Sequence, residues 1–364
     1  MAEKELDPKD IVLRIIKHAS ESRSSDIHIQ ISPPVADILL RIDGVLQKSE
    51  TITHTDIMRL GNRIMFLAGL KTYKNDIPQE GRIKGEEVGI DGYIRVSCYP
   101  TVSGLRIALR LLRDNTHIAT LDNLCFPEYA LRNINYFLSN PGGAMLLTGP
   151  SGSGKTTTIY ACLKKLQETG TSHIVTIEDP VEFKLPGIMQ TQIRQEVGLD
   201  FAEALKKLLR QDPEVIVIGE IRDKDTAKTA FQASLTGHKV ISTIHAGTAV
   251  EVLVRLIEIG LDPSIIASSL ALVVAQRLLR RVCGSCKGNG CDECGTTGYF
   301  DRIPAVETLQ IGSKLRKNIA NDFDEDTIRE IVETDTFINL RKCAEQLHNR
   351  GLTTEDEIQR VIGT

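Results

Sequence analysis

The eight residues Gly149 to Thr156, "GPSGSGKT", place glycines, one lysine and a final threonine at fixed spacing. Glycines let a loop turn its backbone N–H groups inward. The lysine adds a point charge, and the threonine hydroxyl can ligate a divalent cation. Such a loop is a cradle for phosphate groups. Its context agrees: "AMLLTG" reads as a strand entering the loop and "KTTTIYACLKKLQE" as a helix leaving it. The start of that helix adds partial positive charge. The expected contact set for a nucleoside triphosphate is Gly149, Ser151, Gly152, Ser153, Gly154, Lys155, Thr156 and Thr157, with Mg2+ as companion ion.

Splitting a phosphate needs carboxylates as well. The strand "HIVTIED" delivers Glu178, Asp179 and, just beyond, Glu182. The apolar run Val215 to Ile218 reads as a buried strand, and Gly219 stands where many P-loop ATPases have an aspartate that supports magnesium. Glu220 follows it and can hold a magnesium-bound water or orient the attacking water. His245 ends a further strand, "KVISTIH", and with Ser242 and Thr243 could sense the terminal phosphate. His238 precedes that strand without a clear role. In a doubly wound sheet, ligands sit beyond the carboxyl ends of the strands, so these groups are expected on one rim.

A second constellation is "CGSCKGNGCDEC", in which Cys283, Cys286, Cys291 and Cys294 follow a C-x2-C-x4-C-x2-C spacing. Four thiolates suit tetrahedral Zn2+ in a closed, structural site. An iron–sulfur centre, redox pairs and metal-free thiols remain the alternatives. The isolated Cys98, Cys125, Cys162 and Cys343 read as small buried hydrophobes.

Elements must hold these groups in place. The chain has 364 residues, and a two-domain organisation is the natural prior. It is 41% hydrophobic and 25% charged, as ordinary globular proteins are. A net charge of -4, with 4% aromatic residues and no Trp, argues against a chain built to grip nucleic acid. No apolar run approaches the roughly 18 residues of a membrane helix. The acidic start "MAEKELDPKD" is not a signal peptide, so a cytoplasmic location is expected.

Residues 1–112 read as an α/β domain. In it Arg95, Ser97 and Tyr99 share one face of a strand, and Arg106 and Arg110 share a face of the next. Residues 113–122 read as a linker. Residues 123–364 alternate short apolar strands with helices, which implies a parallel sheet covered on both faces. The C-terminal stretch reads as mostly helical apart from the cysteine cluster. The fold class is α/β, with a P-loop core and a smaller N-terminal domain.

The ordered motifs "SDIHIQ", "RIDGVL", "PQEGRI", "GPSGSGKTTT", "TIEDPVE", "RQDPEVIVIGEIRD", "TGHKVISTIHA", "QRLLRRVC" and "TGYFDRIPAVE" resemble the secretion-superfamily ATPases. These are the hexameric motors of type II secretion and of type IV pilus extension and retraction. The resemblance spans nearly the whole chain and implies a PAS-like N-terminal domain on a RecA-like ATPase domain. It implies ATP hydrolysis, with Glu182 activating the attacking water and Glu220 supporting magnesium. It also implies that Arg82, Arg95 and Arg110 reach the nucleotide from the N-terminal domain as the domains close. The expected partners are five further copies and an inner-membrane platform protein, with membrane association only through partners and no nucleic acid.

Within the family, powering secretion or pilus assembly is the first expectation and pilus retraction the alternative. Retraction motors generally lack the cysteine cluster. The insert between the cysteine pairs is shorter here than in the secretion and extension branches. Family secretion motors usually carry an extra N-terminal domain, which is expected to be absent or trimmed here. A RecA-like nucleic-acid motor and a non-hydrolysing scaffold are the readings from other classes.

Overall fold

The computed structural model describes residues 7–32, 34–112, 119–170, 172–321, 323–332 and 336–363. Most of the expected linker, residues 113–118, lies outside them. The chain forms two compact units, one of residues 1–116 with 283–301, the other of residues 117–282 with 302–364.

The first unit opens with α1 (Pro8–Glu21), then β1 (Asp26–Ser32), β2 (Val35–Ile42), β3 (Val45–Thr53), α2 (His54–Leu67), β4 (Gln79–Lys84), β5 (Tyr93–Thr101) and β6 (Gly104–Leu112). The side chain of Asp7 caps α1 by accepting from the Lys9 amide, and Pro8 occupies the first turn, where no amide partner is needed. The strands form one sheet in the order β3-β2-β1-β6-β5-β4. Their neighbours run antiparallel. Alternation sorts the faces. Ile27, Ile29, Ile38, Leu40, Ile94, Val96, Ile107 and Leu109 join α1 and α2 in one core, leaving the polar set on the other face. The expected Asp43–Gly44 turn is present, with φ of 48° and 85° at its two central residues, as a two-residue hairpin requires.

The second unit contains α3 (Glu128–Ser139), β7 (Gly143–Thr148), α4 (Lys155–Glu168), β8 (Ile174–Glu178), β9 (Met189–Gln192), α5 (Phe201–Leu208), β10 (Val215–Ile218), α6 (Lys224–Leu235) and β11 (Lys239–Ile244). It continues with α7 (Ala249–Glu258), α8 (Pro263–Ser269), β12 (Leu270–Val282), β13 (Tyr299–Gln310), α9 (Ser313–Asn321), α10 (Glu325–Val332), α11 (Leu340–Asn349) and α12 (Glu355–Ile362). The seven strands lie in the order β13-β12-β7-β11-β10-β8-β9. From β12 to β9 every neighbouring pair is parallel. Successive residues feed opposite cores: Leu146, Val175, Ile216 and Val240 join α5 to α9 on one side, and Met145, Leu147, Val217 and Ile241 join α3 and α4 on the other. This is the α/β, RecA-like architecture expected.

The C-terminal stretch, expected to be mostly helical, also holds two long strands: "LALVVAQRLLRRV" is the 13-residue strand β12, and β13 adds 12 residues at the edge of the sheet. The apolar half is buried because β12 is an inner strand. Its polar half is tolerated because three of its long side chains find partners. Gln276 donates to Thr158 Oγ1 at 3.0 Å, Arg277 to the Gly247 carbonyl at 2.8 Å, and Arg280 pairs with the fully buried Glu357 of α12 at 2.8 Å. These tertiary partners override the helical appearance of the sequence.

Candidate functional site

The loop between β7 and α4 is shaped by three glycines in left-handed conformations: Gly149 (φ 140°), Gly152 (φ 78°) and Gly154 (φ 92°). At Gly149 a Cβ would lie 2.4 Å from the Gln276 carbonyl oxygen, so β12 backs directly onto the loop and excludes any side chain. Gly154 precedes α4 with no side-chain cap, and the first amides of that helix have no intrahelical partner. Ser153 Oγ is buried with no hydrogen-bond partner among the described residues. Uncapped amides and an orphaned hydroxyl are the inventory that a phosphate chain satisfies.

Lys155 Nζ is folded back onto its own loop, donating to the carbonyls of Gly149 at 2.6 Å and Pro150 at 3.0 Å. Burial lowers its pKa, the Glu220 carboxylate works in the opposite sense, and Arg277 adds to the lowering. Thr156 faces the adjoining cleft, while Ser151 and Thr157 are exposed and outside its lining.

That cleft, of about 130 Å³, is bounded by Thr156, Tyr160, Glu178, Asp179, Glu182, Gly219, Glu220, Arg222 and Thr243. Its acids come from the last residue of β8 and the loops after β8 and β10, and His245 follows β11. The carboxyl ends of three parallel strands therefore meet at one rim, next to the phosphate loop.

The carboxylates there differ in what holds them. Glu178 is 6% exposed. It accepts from Tyr160 Oη at 2.5 Å, Thr176 Oγ1 at 2.5 Å and Gln190 Nε2 at 3.1 Å. Glu220 is gripped by Arg222 Nε at 2.7 Å and lies 3.0 Å from His245 Nε2. Asp179 and Glu182 line the cleft with no side-chain partner among the described residues.

Two sequence readings change. Ser242 is fully buried and donates to the Ile218 carbonyl at 2.7 Å, while Thr243 donates to the Gly219 carbonyl at 2.7 Å. Both hydroxyls brace β10 against β11 and are not available to sense a phosphate. His238 is occupied locally, its Nδ1 2.9 Å from the Ala233 carbonyl at the end of α6. Arg222 was missed, although its position two residues beyond Glu220 was visible in "GEIRD". Cys125, expected to be buried, is exposed.

The arginines of the first unit form a row of their own. Arg82 faces Arg95 across β4 and β5, Arg95 faces Arg110 across β5 and β6, and Arg110 faces Asp26 of β1. Like charges opposite one another are unfavourable. The row is relieved by the Arg95–Glu80 pair at 3.2 Å, the Arg110–Asp26 pair at 2.9 Å and the Arg82 guanidinium 5.0 Å from the centre of the Tyr93 ring. A row of cations on an open sheet face suits a polyanionic ligand.

The four Sγ atoms of Cys283, Cys286, Cys291 and Cys294 lie within 4.8 Å of one another. Three of the separations are 3.8, 3.8 and 3.7 Å. A tetrahedron with Zn–S bonds of about 2.3 Å has edges of about 3.8 Å. A disulfide would need about 2.05 Å. Burial alone would raise the Cys294 thiol, but the Cys291 and Gly298 amides donate to its sulfur and hold it below the usual range. The donor set thus fits a thiophilic, tetrahedral ion.

Comparison with known proteins agrees with this geometry. The chain is 38% identical over 355 residues to the type II secretion system protein HxcR of Pseudomonas aeruginosa, covering 95% of this chain and 76% of that protein. It is 36% identical over 374 residues to the type IV pilus assembly ATPase PilB of Thermus thermophilus, covering 95% of this chain and 42% of that one. A crystal structure of the pilus retraction motor PilT with bound ADP superposes with a TM-score of 0.67 at 26% identity, covering 96% of each chain. A sequence model of type II/IV secretion system proteins matches residues 3–360. A phosphate loop facing a rim of acids on a RecA-like sheet, in a sequence matched almost end to end, places the chain in the type II/IV secretion system ATPase family.

Proposed function

We propose that the chain is one subunit of a six-membered, ATP-driven ring that powers type II secretion or type IV pilus assembly through an inner-membrane platform protein. The ring works at the cytoplasmic face of that membrane. The observation that carries the reading is the single rim on which Lys155, Glu182, Glu220 and His245 gather. The names borne by HxcR and PilB supply the direction of the work. Among the described residues no helix is long and apolar enough to cross a membrane.

In this reading the two compact units, residues 1–116 with 283–301 and residues 117–282 with 302–364, are the moving bodies. Lys155 exchanges its two loop carbonyls for phosphate oxygens. Glu220, held by Arg222 and His245, and the Thr156 hydroxyl are the groups that would hold a magnesium ion and its waters. When bound, that ion would neutralise charge on the phosphate oxygens. Glu182 keeps a free lone pair and takes the proton of the attacking water. Arg82, Arg95 and Arg110 supply positive charge for the transferring phosphoryl group, a contribution of about 10³–10⁵ in rate where such arginines have been removed.

Light scattering and phosphate-release assays on the same samples test the motor. A mass of six chains, with turnover per chain rising steeply as the ring assembles, is expected. Equal turnover from a monomer at every concentration would sink the ring. The similarity to PilT keeps retraction as the second reading; the cysteine cluster weighs against it.

We assign the tetracysteine site to structural zinc, because four thiolates leave no open position for water. Elemental analysis is expected to give one zinc per chain. A strong chelator should then speed amide exchange in residues 283–298 while the β7–β11 sheet stays protected. Iron with visible charge-transfer absorbance, or no metal at all, would contradict this.

A further inference from the structure

The loop that carries Glu182 runs from Glu178 to β9, and an unusual density of contacts fixes it from behind. Gln190 on β9 reaches back three ways. Its Nε2 donates to Glu178 Oε1 at 3.1 Å and to the Phe183 carbonyl at 2.9 Å, and its Oε1 accepts from the Leu185 amide at 2.6 Å. Gln192 Oε1 accepts from the Val181 amide at 3.4 Å. Tyr160 approaches from the opposite side, on α4, the helix that begins with Lys155. Its hydroxyl donates to Glu178 Oε2 at 2.5 Å, and its ring meets Phe183 edge-on with centroids 6.0 Å apart.

Glu178 is thus the centre of a clamp with Tyr160 and Gln190 as its arms. With three donors on its two oxygens and 6% exposure, most of its accepting capacity is already taken. We propose that Tyr160, Glu178 and Gln190 are positioning residues that tie the phosphate-loop helix to the Glu182 loop. A shift of α4 on engaging phosphate is thereby passed to the base, and neither side moves alone. This rests on the assignment of Glu182 as the base. The physical ground is that a displacement of about 1 Å in a catalytic group can cost about 10²-fold in rate.

Tyr160→Phe tests it, because the ring contact with Phe183 survives and only the hydroxyl is lost. Gln190→Leu is the second, independent variant. Each is expected to lower kcat about 10- to 100-fold. The dissociation constant for a fluorescent ATP analogue should change less than about threefold, since Lys155 and its loop are untouched. On a Glu182→Gln background, adding Tyr160→Phe should bring no further loss, because the clamp acts only through Glu182. Losses that multiply in the double variant, or a wild-type kcat in both single variants, overturn the clamp. A wild-type kcat for Glu182→Gln alone removes the base assignment instead. If Tyr160→Phe then still lowers kcat on both backgrounds, the hydroxyl serves another group and the inference falls with it.

Discussion

Lys155→Ala protein is expected to fold normally and to hydrolyse ATP at least about 100- to 1,000-fold more slowly than wild type, the loss typical of removing one preorganised electrostatic donor. The side chain has no structural task that alanine would leave unfilled. Its Nζ satisfies two loop carbonyls, Gly149 and Pro150, on a loop that water also reaches. Glu220 keeps Arg222 and His245 as neighbours when the lysine is gone. Thermal midpoints should therefore differ by little, and the defect should appear in nucleotide affinity and turnover. Lys155→Arg should rescue poorly, because a rigid planar fork cannot occupy the position of a compact ammonium between two carbonyls. Turnover by Lys155→Ala above about a tenth of the wild-type rate would mean that the phosphate loop does not organise the reaction.

The phosphate loop was legible because its chemistry is local: glycines, a lysine and a threonine within one turn, between an apolar run and a helix. The inner strands were legible for the same reason, since "VIVI" is buried at all four positions and has no polar face to confuse the pattern. β12 was not. Its "QRLLRR" half has helical spacing, and the partners that make it a strand, Thr158, Gly247 and Glu357, lie far away in sequence. The four rim acids could be placed at one edge because each stands at or just past the carboxyl end of a parallel strand. What could not be read is which of them is free. Glu178 is neutralised as a candidate by Tyr160 from the preceding helix and Gln190 from the following strand, and nothing in "TIEDPVE" signals either. Ser242 and Thr243 were misassigned by the same blindness, because a hydroxyl on a strand end can face a ligand or a neighbouring carbonyl with equal ease.

Availability of a lone pair separates the acids more sharply than their order along the chain, and it gives the second large effect. A general base needs an unengaged oxygen facing water in the cleft. Glu178 fails this requirement, and Glu220 has one oxygen on Arg222 and the other on His245. Asp179 and Glu182 meet it, and only Glu182 has the longer side chain on the loop that Tyr160 and Gln190 fix. Glu182→Gln is therefore expected to lower kcat about 10²- to 10⁴-fold, the usual share of a general base, with nucleotide affinity and assembly mass unchanged. Asp179→Asn, on the same loop and also lining the cleft, should lose less than about tenfold. Glu220→Gln should behave differently from both, with its deficit partly relieved by raising the magnesium concentration, because its proposed task is to hold the ion's water shell. Single-turnover phosphate release with the three variants side by side decides the matter. A severe loss in Asp179→Asn together with near-normal turnover in Glu182→Gln would transfer the base to Asp179. Magnesium rescue of Glu182→Gln would exchange the roles assigned to the two glutamates.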